Sequence, residues 1–310
     1  MRVRMTGVRL LLIVNVKAGS VTPWTVNVIE HALSSEFDVE RAETKRQGHA
    51  THLAQGAAHE GVDLVVSMGG DGTVNEVVNG LAGTHVPLAL IPGGGTNVLA
   101  RSLGIPKDPV EATWHLLANR NNPPRRVPLG RAVDRYFTFA CGMGFDGAIV
   151  RDVERRQGLK KGLGHPFFVW SGVRIFFGGV DRRHAPIRLR WGPNLEHGRE
   201  DLFLAICQKT RPFTYFRNRE MNICPEARLE KGIDLLAIDT FRASTILRVV
   251  GQAFRGAIDL RNPHVLYLHD QQQIEATADM LLPVQMDGEY IGDHKRVLFE
   301  SVPDALSLLY

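Results

Sequence analysis

Short apolar runs alternate with amphipathic stretches along the first part of the chain. Leu10–Val14, Phe37–Glu40, Leu64–Ser67 and Leu88–Ile91 are rich in Val, Leu and Ile and short enough to be strands. Between them, Pro23–Ser34, His49–His59 and Val74–Leu81 carry helical patterning. In the last, Val74, Val77, Val78 and Leu81 fall at i, i+3, i+4 and i+7, one face of a helix. The alternation predicts an α/β domain with a mainly parallel sheet. The pattern changes near Pro123-Pro124-Arg125-Arg126. Downstream, strand signals dominate at Tyr136–Cys141, Ile187–Trp191, Leu202–Cys207, Ile233–Asp239, Val265–His269, Ile274–Thr277 and Leu282–Met286. Helical patterns interrupt them around Ala148–Arg156, Pro166–Phe177 and Ser244–Phe254, and a second, mostly antiparallel β domain accounts for the whole stretch.

A length of 310 residues with 44% hydrophobic and 23% charged residues is that of an ordinary globular chain of two domains, or of one large domain with an appendage. The formal charge of +4 suggests an anionic partner, whether nucleotide, nucleic acid or acidic membrane surface. Cys141, Cys207 and Cys224 lie far apart with no CxxC spacing, which argues against a disulfide framework or zinc knuckle and fits a reducing cytoplasm. Arg2 and Arg4 followed by Leu10–Val14 imitate a signal peptide, but Asn15 and Lys17 break the run, and it is read as a first buried strand. No stretch approaches the roughly 20 apolar residues of a bilayer crossing, and the aromatic segment Phe167–Phe177 carries Arg174.

The strongest local signal is Gly69-Gly70-Asp71-Gly72-Thr73, between the strand ending at Ser67 and the helix at Val74. A strand that ends in glycines and turns into a helix exposes main-chain amides and a helix N-terminus, both of which favour phosphate. Asp71 would repel phosphate unless a cation sits between, which points to Mg²⁺; the alternative is a tight turn with Asp71 as a helix cap. Pro92-Gly93-Gly94-Gly95-Thr96-Asn97 repeats the arrangement before Val98–Leu103, and two such turns on neighbouring parallel strands would share one carboxyl edge of the sheet. No GxxxxGK[ST] occurs, so a Walker A loop is excluded. Gly142-Met143-Gly144-Phe145-Asp146-Gly147 matches GxGxxG but lacks the acidic residue expected some 20 positions on. It is expected to form a turn with Asp146 capping the next helix. Asp287-Gly288-Glu289 is either a solvent-facing hairpin turn or, opposite a nucleotide, a general base for a hydroxyl.

Taken together, GGDGTVNEVVNG at Gly69–Gly80, PGGGTNVLAR at Pro92–Arg101, GMGFDG at Gly142–Gly147 and DGE at Asp287–Glu289 resemble, in order, the diacylglycerol kinase catalytic-domain family with its bacterial lipid-kinase members. GGDGT alone is shared with NAD kinases; PGGGTN followed much later by DGE is more specific to lipid kinases. The resemblance implies a Rossmann-like α/β nucleotide-binding domain over residues 1–127, with 293–310 returning to it, and a β-sandwich-like substrate domain over 128–292, with ATP between them. It implies a lipid kinase of phospholipid metabolism that uses ATP and Mg²⁺. It places Asn15, Thr44, Gly69, Gly70, Asp71, Gly72, Thr73, Asn75, Gly94 and Thr96 on the nucleotide, and Asp287 and Glu289, with Asp71, in catalysis, Glu289 being slightly preferred as proton acceptor. A structural Mg²⁺ site is implied at Lys231, Asp234 and Leu236, through the main chain at Lys231 and Leu236 and the Asp234 carboxylate. Val16, Pro128 and Lys231 depart from the family pattern, and the last stands where an aspartate is usual.

For the acyl chains, Phe167, Phe168, Trp170, Ile175, Phe176 and Phe177 beside Arg151, Arg155, Arg156, Lys160, Lys161, Arg182 and Arg183 suit docking on anionic headgroups, or else form a core helix with a solvated flank. The expected partners are a lipid at the membrane surface and ATP, with no nucleic acid; a homodimer is left open. The expected location is cytoplasmic with peripheral membrane contact. An NAD kinase and a catalytically inactive nucleotide-binding regulator of the same fold are the competing readings.

Overall fold

The computed structural model describes residues 7–156, 174–175, 185–216, 219–256 and 258–310. The predicted helix Pro166–Phe177 lies outside these residues apart from Arg174 and Ile175, as do Lys160, Lys161, Arg182 and Arg183. The chain divides into two compact units, one running to Leu129 and taking in Pro303–Tyr310, the other spanning Gly130–Val302.

The first unit is α/β. Its elements are β1 (Arg9–Val14), α1 (Pro23–Ser34), β2 (Asp38–Glu43), α2 (His49–His59), β3 (Leu64–Gly69), α3 (Asp71–Leu81), β4 (Leu88–Pro92), α4 (Val98–Ser102) and α5 (Pro109–Asn119), followed by β5 (Arg125–Ala132), which leads into the second unit. The sheet order is β2-β1-β3-β4, all parallel, and Leu308 adds a final parallel pairing to Leu88. Every residue of β3 and β4 is buried, the condition that produces continuous apolar runs instead of alternation. Helix α1 begins where Thr22 Oγ1 accepts the Thr25 amide and Pro23 takes the first helical position. Helix α3 starts at Asp71, three residues before its apolar periodicity does, because Gly70 is extended and serves as its N-cap. Helix α5 escaped the periodicity argument, although Asp108 followed by Pro109 is a cap-plus-proline start, with Asp108 Oδ1 accepting the amides of Val110 and Glu111.

The second unit is mostly antiparallel. After β6 (Arg135–Phe137), β7 (Ala140–Gly144) and α6 (Phe145–Arg155) come β8 (Ile187–Trp191), β9 (His197–Leu202), β10 (Leu204–Gln208), β11 (Thr214–Phe216), β12 (Arg219–Met221), β13 (Ile233–Ile238), α7 (Ala243–Ala253), β14 (Val265–Gln271), β15 (Gln273–Met286) and β16 (Glu289–Leu308). The order β14-β13-β10-β7-β15-β16 runs through it. Strand β15 serves two layers: Ile274–Ala278 pairs with β8, while Val284–Met286 pairs with β7. Cys141, Cys207 and Leu235 from one layer and Leu189, Ile274 and Phe299 from the other meet in one core. On the outer face of β10 and β13, Val249 and Ala253 of α7 pack on Ile206 and Leu236. All three cysteines are free and buried.

Several predicted elements change form. Tyr136–Cys141 is two strands, β6 and β7, whereas Ile274–Thr277 and Leu282–Met286 are one strand whose register shifts between Thr277 and Leu282. The GMGFDG segment is not a turn: its first three residues finish β7, and α6 begins at Phe145.

One tertiary contact sets α2. Its N-cap, Gly48, has no side chain, and Glu76 of α3 replaces it, accepting the Gly48 amide at 2.8 Å and the Ala50 amide at 3.0 Å. Substituting Glu76→Ala removes a cap supplied from another helix and should cost about 1–2 kcal/mol in urea unfolding, the range of a lost N-cap.

Candidate functional site

Because β1, β3 and β4 are adjacent and parallel, their carboxyl ends place Asn15, Gly69-Gly70 and Gly93-Gly94 along one edge, where open α/β sheets bind ligands. Thr44, just past β2, joins the same edge, its amide donating to Val14 O at 2.8 Å. The two glycine turns touch through their main chains. The Gly93 amide donates to Gly69 O at 2.7 Å, and a Cβ on Gly94 would stand 2.7 Å from the Gly70 Cα, so only glycine permits this approach. Asn97, with φ of 51°, closes the second turn by accepting the Gly94 amide and donating to Gly94 O.

Asp71 braces the pair. Its Oδ2 accepts the Asn97 amide at 2.9 Å and its Oδ1 the Val98 amide at 2.6 Å, so it caps α4 across the gap between the turns. Asp71 therefore does not cap its own helix, whose N-cap is Gly70. Asn15 Nδ2 donates to Thr73 Oγ1 at 2.8 Å and ties the β1 edge to the start of α3. Asn75 is buried in α3, and Thr96 is half-buried in the second turn beside the exposed Gly95. Gly72 lies in the first turn of α3.

In the second unit, Asp287 and Gly288 form the two-residue hairpin turn between β15 and β16, with φ of 47° and 80°. The Asp287 carboxylate is buried. Its Oδ2 accepts from the amide and hydroxyl of Thr138 at 2.7 and 2.8 Å, and its Oδ1 accepts from the amides of Phe139 and Ala140 at 3.0 Å each. Burial pushes this carboxyl above its ordinary range, while the four donors pull against it. Glu289 is only partly covered and stands 3.5 Å from the Arg135 guanidinium.

Beneath the turn, Gln285 accepts the Gly288 amide at 3.0 Å and donates to Asp146 Oδ2 at 2.6 Å. Asp146 is thus a half-buried support and not the expected helix cap, which is Gly144. The glycine at 142 makes room for it, since a Cβ there would lie 2.1 Å from Asp146 Oδ2. Burial raises the Asp146 carboxyl to about 6 against the Gln285 bond. Gln285, Thr138 and Arg135 were not anticipated; they lie in strands or loops, with no local motif to mark them.

The implied structural metal ligands do not assemble a divalent-cation site. Asp234 is fully buried, and its carboxylate accepts from Tyr267 Oη at 2.5 Å, His269 Nδ1 at 3.0 Å and the Asp270 amide at 3.0 Å. Burial, then the bond to Asp234, raises the Tyr267 phenol. The main chain of Leu236 lies inside the sheet between Ile206 and Tyr267. The Lys231 carbonyl accepts from the ammonium of Lys209, whose pKa burial pushes down to about 8, leaving it mostly protonated at neutral pH. Among the described residues, no three or more His, Cys, Asp or Glu side chains form a metal-holding group.

The chain carries a parallel α/β unit with abutting glycine turns and an antiparallel unit with an acidic hairpin, and its relatives mark it as a kinase-type phosphotransferase. Residues 9–130 match the diacylglycerol kinase catalytic domain. It is 28% identical over 268 residues to a diacylglycerol kinase of Bacillus subtilis (strain 168), covering 86% of this chain and 84% of that one. It is 27% identical over 254 residues to a diacylglycerol kinase of Staphylococcus aureus (strain JH9), covering 80% and 75%. A crystal structure of a diacylglycerol kinase from Bacillus anthracis str. Sterne shares the fold, with a TM-score of 0.72 at 22% identity over 98% of this chain and 97% of that one. No helix among the described residues is long and apolar enough to cross a membrane.

Substituting Asp71→Asn leaves one acceptor oxygen for two amides and should lower unfolding stability by about 1–3 kcal/mol, read by urea titration. Asp146 gives a pH signature. Its folded pKa of about 6 lies above the ordinary 3.8, so its contribution is intact below 3.8 and is lost as pH rises through 6. The difference corresponds to about 3 kcal/mol. Asp146→Asn should therefore gain stability relative to the parent between pH 4 and 6.5, and parallel stability curves would contradict the burial argument.

Proposed function

We propose that the chain is an ATP-dependent lipid kinase that moves the γ-phosphoryl group of MgATP to a hydroxyl of diacylglycerol or a related lipid. The observation that carries this reading is the contact between the glycine turns at Gly69–Thr73 and Gly93–Asn97, locked by Asp71. Main-chain amides beside a helix N-terminus, without Cβ atoms in the way, suit the oxygens of a triphosphate. Asn15, Thr44, Asn75 and Thr96 flank that edge as further nucleotide contacts. That the relatives are diacylglycerol kinases supports the lipid as acceptor.

In the transfer, the lipid oxygen bonds to the γ-phosphorus as the bond to the β-phosphate bridging oxygen breaks, and ADP leaves. Glu289 takes the hydroxyl proton. Asp287 has its four acceptor positions filled by Thr138, Phe139 and Ala140, so it holds the turn and orients Glu289 instead. Magnesium enters as part of the nucleotide substrate. The lipid is met at a membrane surface, which the chain visits peripherally.

Incubation with γ-labelled ATP, Mg²⁺ and vesicles of diacylglycerol, phosphatidylglycerol, a sphingoid base or a polyprenol, with NAD in parallel, should move label into a lipid extract. Label on NAD would make the chain an NAD kinase, and nucleotide binding without transfer would make it a regulator. Glu289→Gln should lower kcat about 100-fold or more at unchanged thermal stability. Asp287→Asn should lower stability together with turnover; full stability with lost turnover would move the proton to Asp287.

A further inference from the structure

Lys209 follows β10 and is fully buried. Its amide donates to Phe139 O at 2.8 Å, which fixes where the side chain starts. Its ammonium donates to three main-chain carbonyls of one short turn: Leu229 at 2.9 Å, Gly232 at 3.2 Å, and Lys231. An ammonium has three N–H donors and no acceptor, so the set is complete. The turn is held from the other side by Asp270, whose Oδ1 accepts the Gly232 amide at 2.6 Å while its Oδ2 lies 3.5 Å from Lys231 Nζ.

Converging carbonyls next to a buried carboxylate are the donor set of a bound cation. We propose that Lys209 is that cation: the turn at residues 229–232, which the family resemblance makes part of a structural magnesium site, is organised here by an ammonium carried on the chain itself and needs no metal. Two charges of the same sign cannot share the Lys231 carbonyl at bonding distance, so the lysine excludes a divalent ion from that position. A tethered ammonium also keeps its occupancy at any magnesium concentration, whereas a bound ion stabilises only in proportion to its saturation. Asp234, freed from ligation, is available to Tyr267, His269 and the Asp270 amide. The inference does not depend on the kinase reading.

The experiment is hydrogen–deuterium exchange by mass spectrometry on the full chain without nucleotide or lipid, in EDTA and in MgCl₂. In the parent protein, peptides covering Leu229–Gly232 should exchange at the same rate, within about twofold, in both solutions. In Lys209→Met the same peptides should exchange about tenfold faster or more, because three carbonyls lose their donor. Severalfold slowing of those peptides by Mg²⁺ in the parent protein would overturn the proposal. So would a Lys209→Met protein with unaltered exchange there. If that variant does not fold, the parent comparison decides alone, and no readout involves turnover, so absence of kinase activity leaves the result interpretable.

Discussion

The paired bonds from the Asp71 carboxylate to the amides of Asn97 and Val98 are the constraint on which the contact between the two glycine turns depends. Two glycine turns present one continuous set of amides only if their main chains touch, and touching main chains without side chains have little to hold them. Asp71 supplies the hold by satisfying the orphan amides at the start of a five-residue helix that could not be stable alone. The arrangement also gives the Asp71 carboxylate two main-chain donors within the turns.

The same device recurs in the second unit. Asp287 and Asp234 are buried carboxylates, each held mainly by hydrogen-bond donors: four from Thr138, Phe139 and Ala140, and three from Tyr267, His269 and Asp270; the half-buried Asp146 takes one from Gln285. A buried carboxylate costs a great deal unless its lone pairs are filled, so Asp287 and Asp234 each fix the segment that supplies their donors. In the hairpin, Asp287 fixes the geometry of the turn while Glu289 stays partly covered beside Arg135.

Lys209 is the cationic counterpart. A fully buried ammonium survives because three carbonyls receive it, and in turn those carbonyls are organised without help from solution. Asp270 draws the same turn from the opposite side, so the strand leading from it enters the sheet at a defined register, with Asp234 opposite Gln208.

The chain's own pattern determined the parallel α/β unit, because strands buried on both faces must be apolar throughout and the helices between them must show a single apolar face. It also determined the glycine turns and the Asp-Gly hairpin, whose conformations demand those residue types locally. Tertiary structure decided what local spacing cannot encode. Gly142 clears space for Asp146, β15 is one strand shared by two layers, Glu76 caps a helix that lacks its own cap, and Lys209 reaches the carbonyls of a turn 20 or more positions away. Apart from the first, each joins residues far apart in sequence, where the acceptor or the pairing edge is created only when the chain has folded.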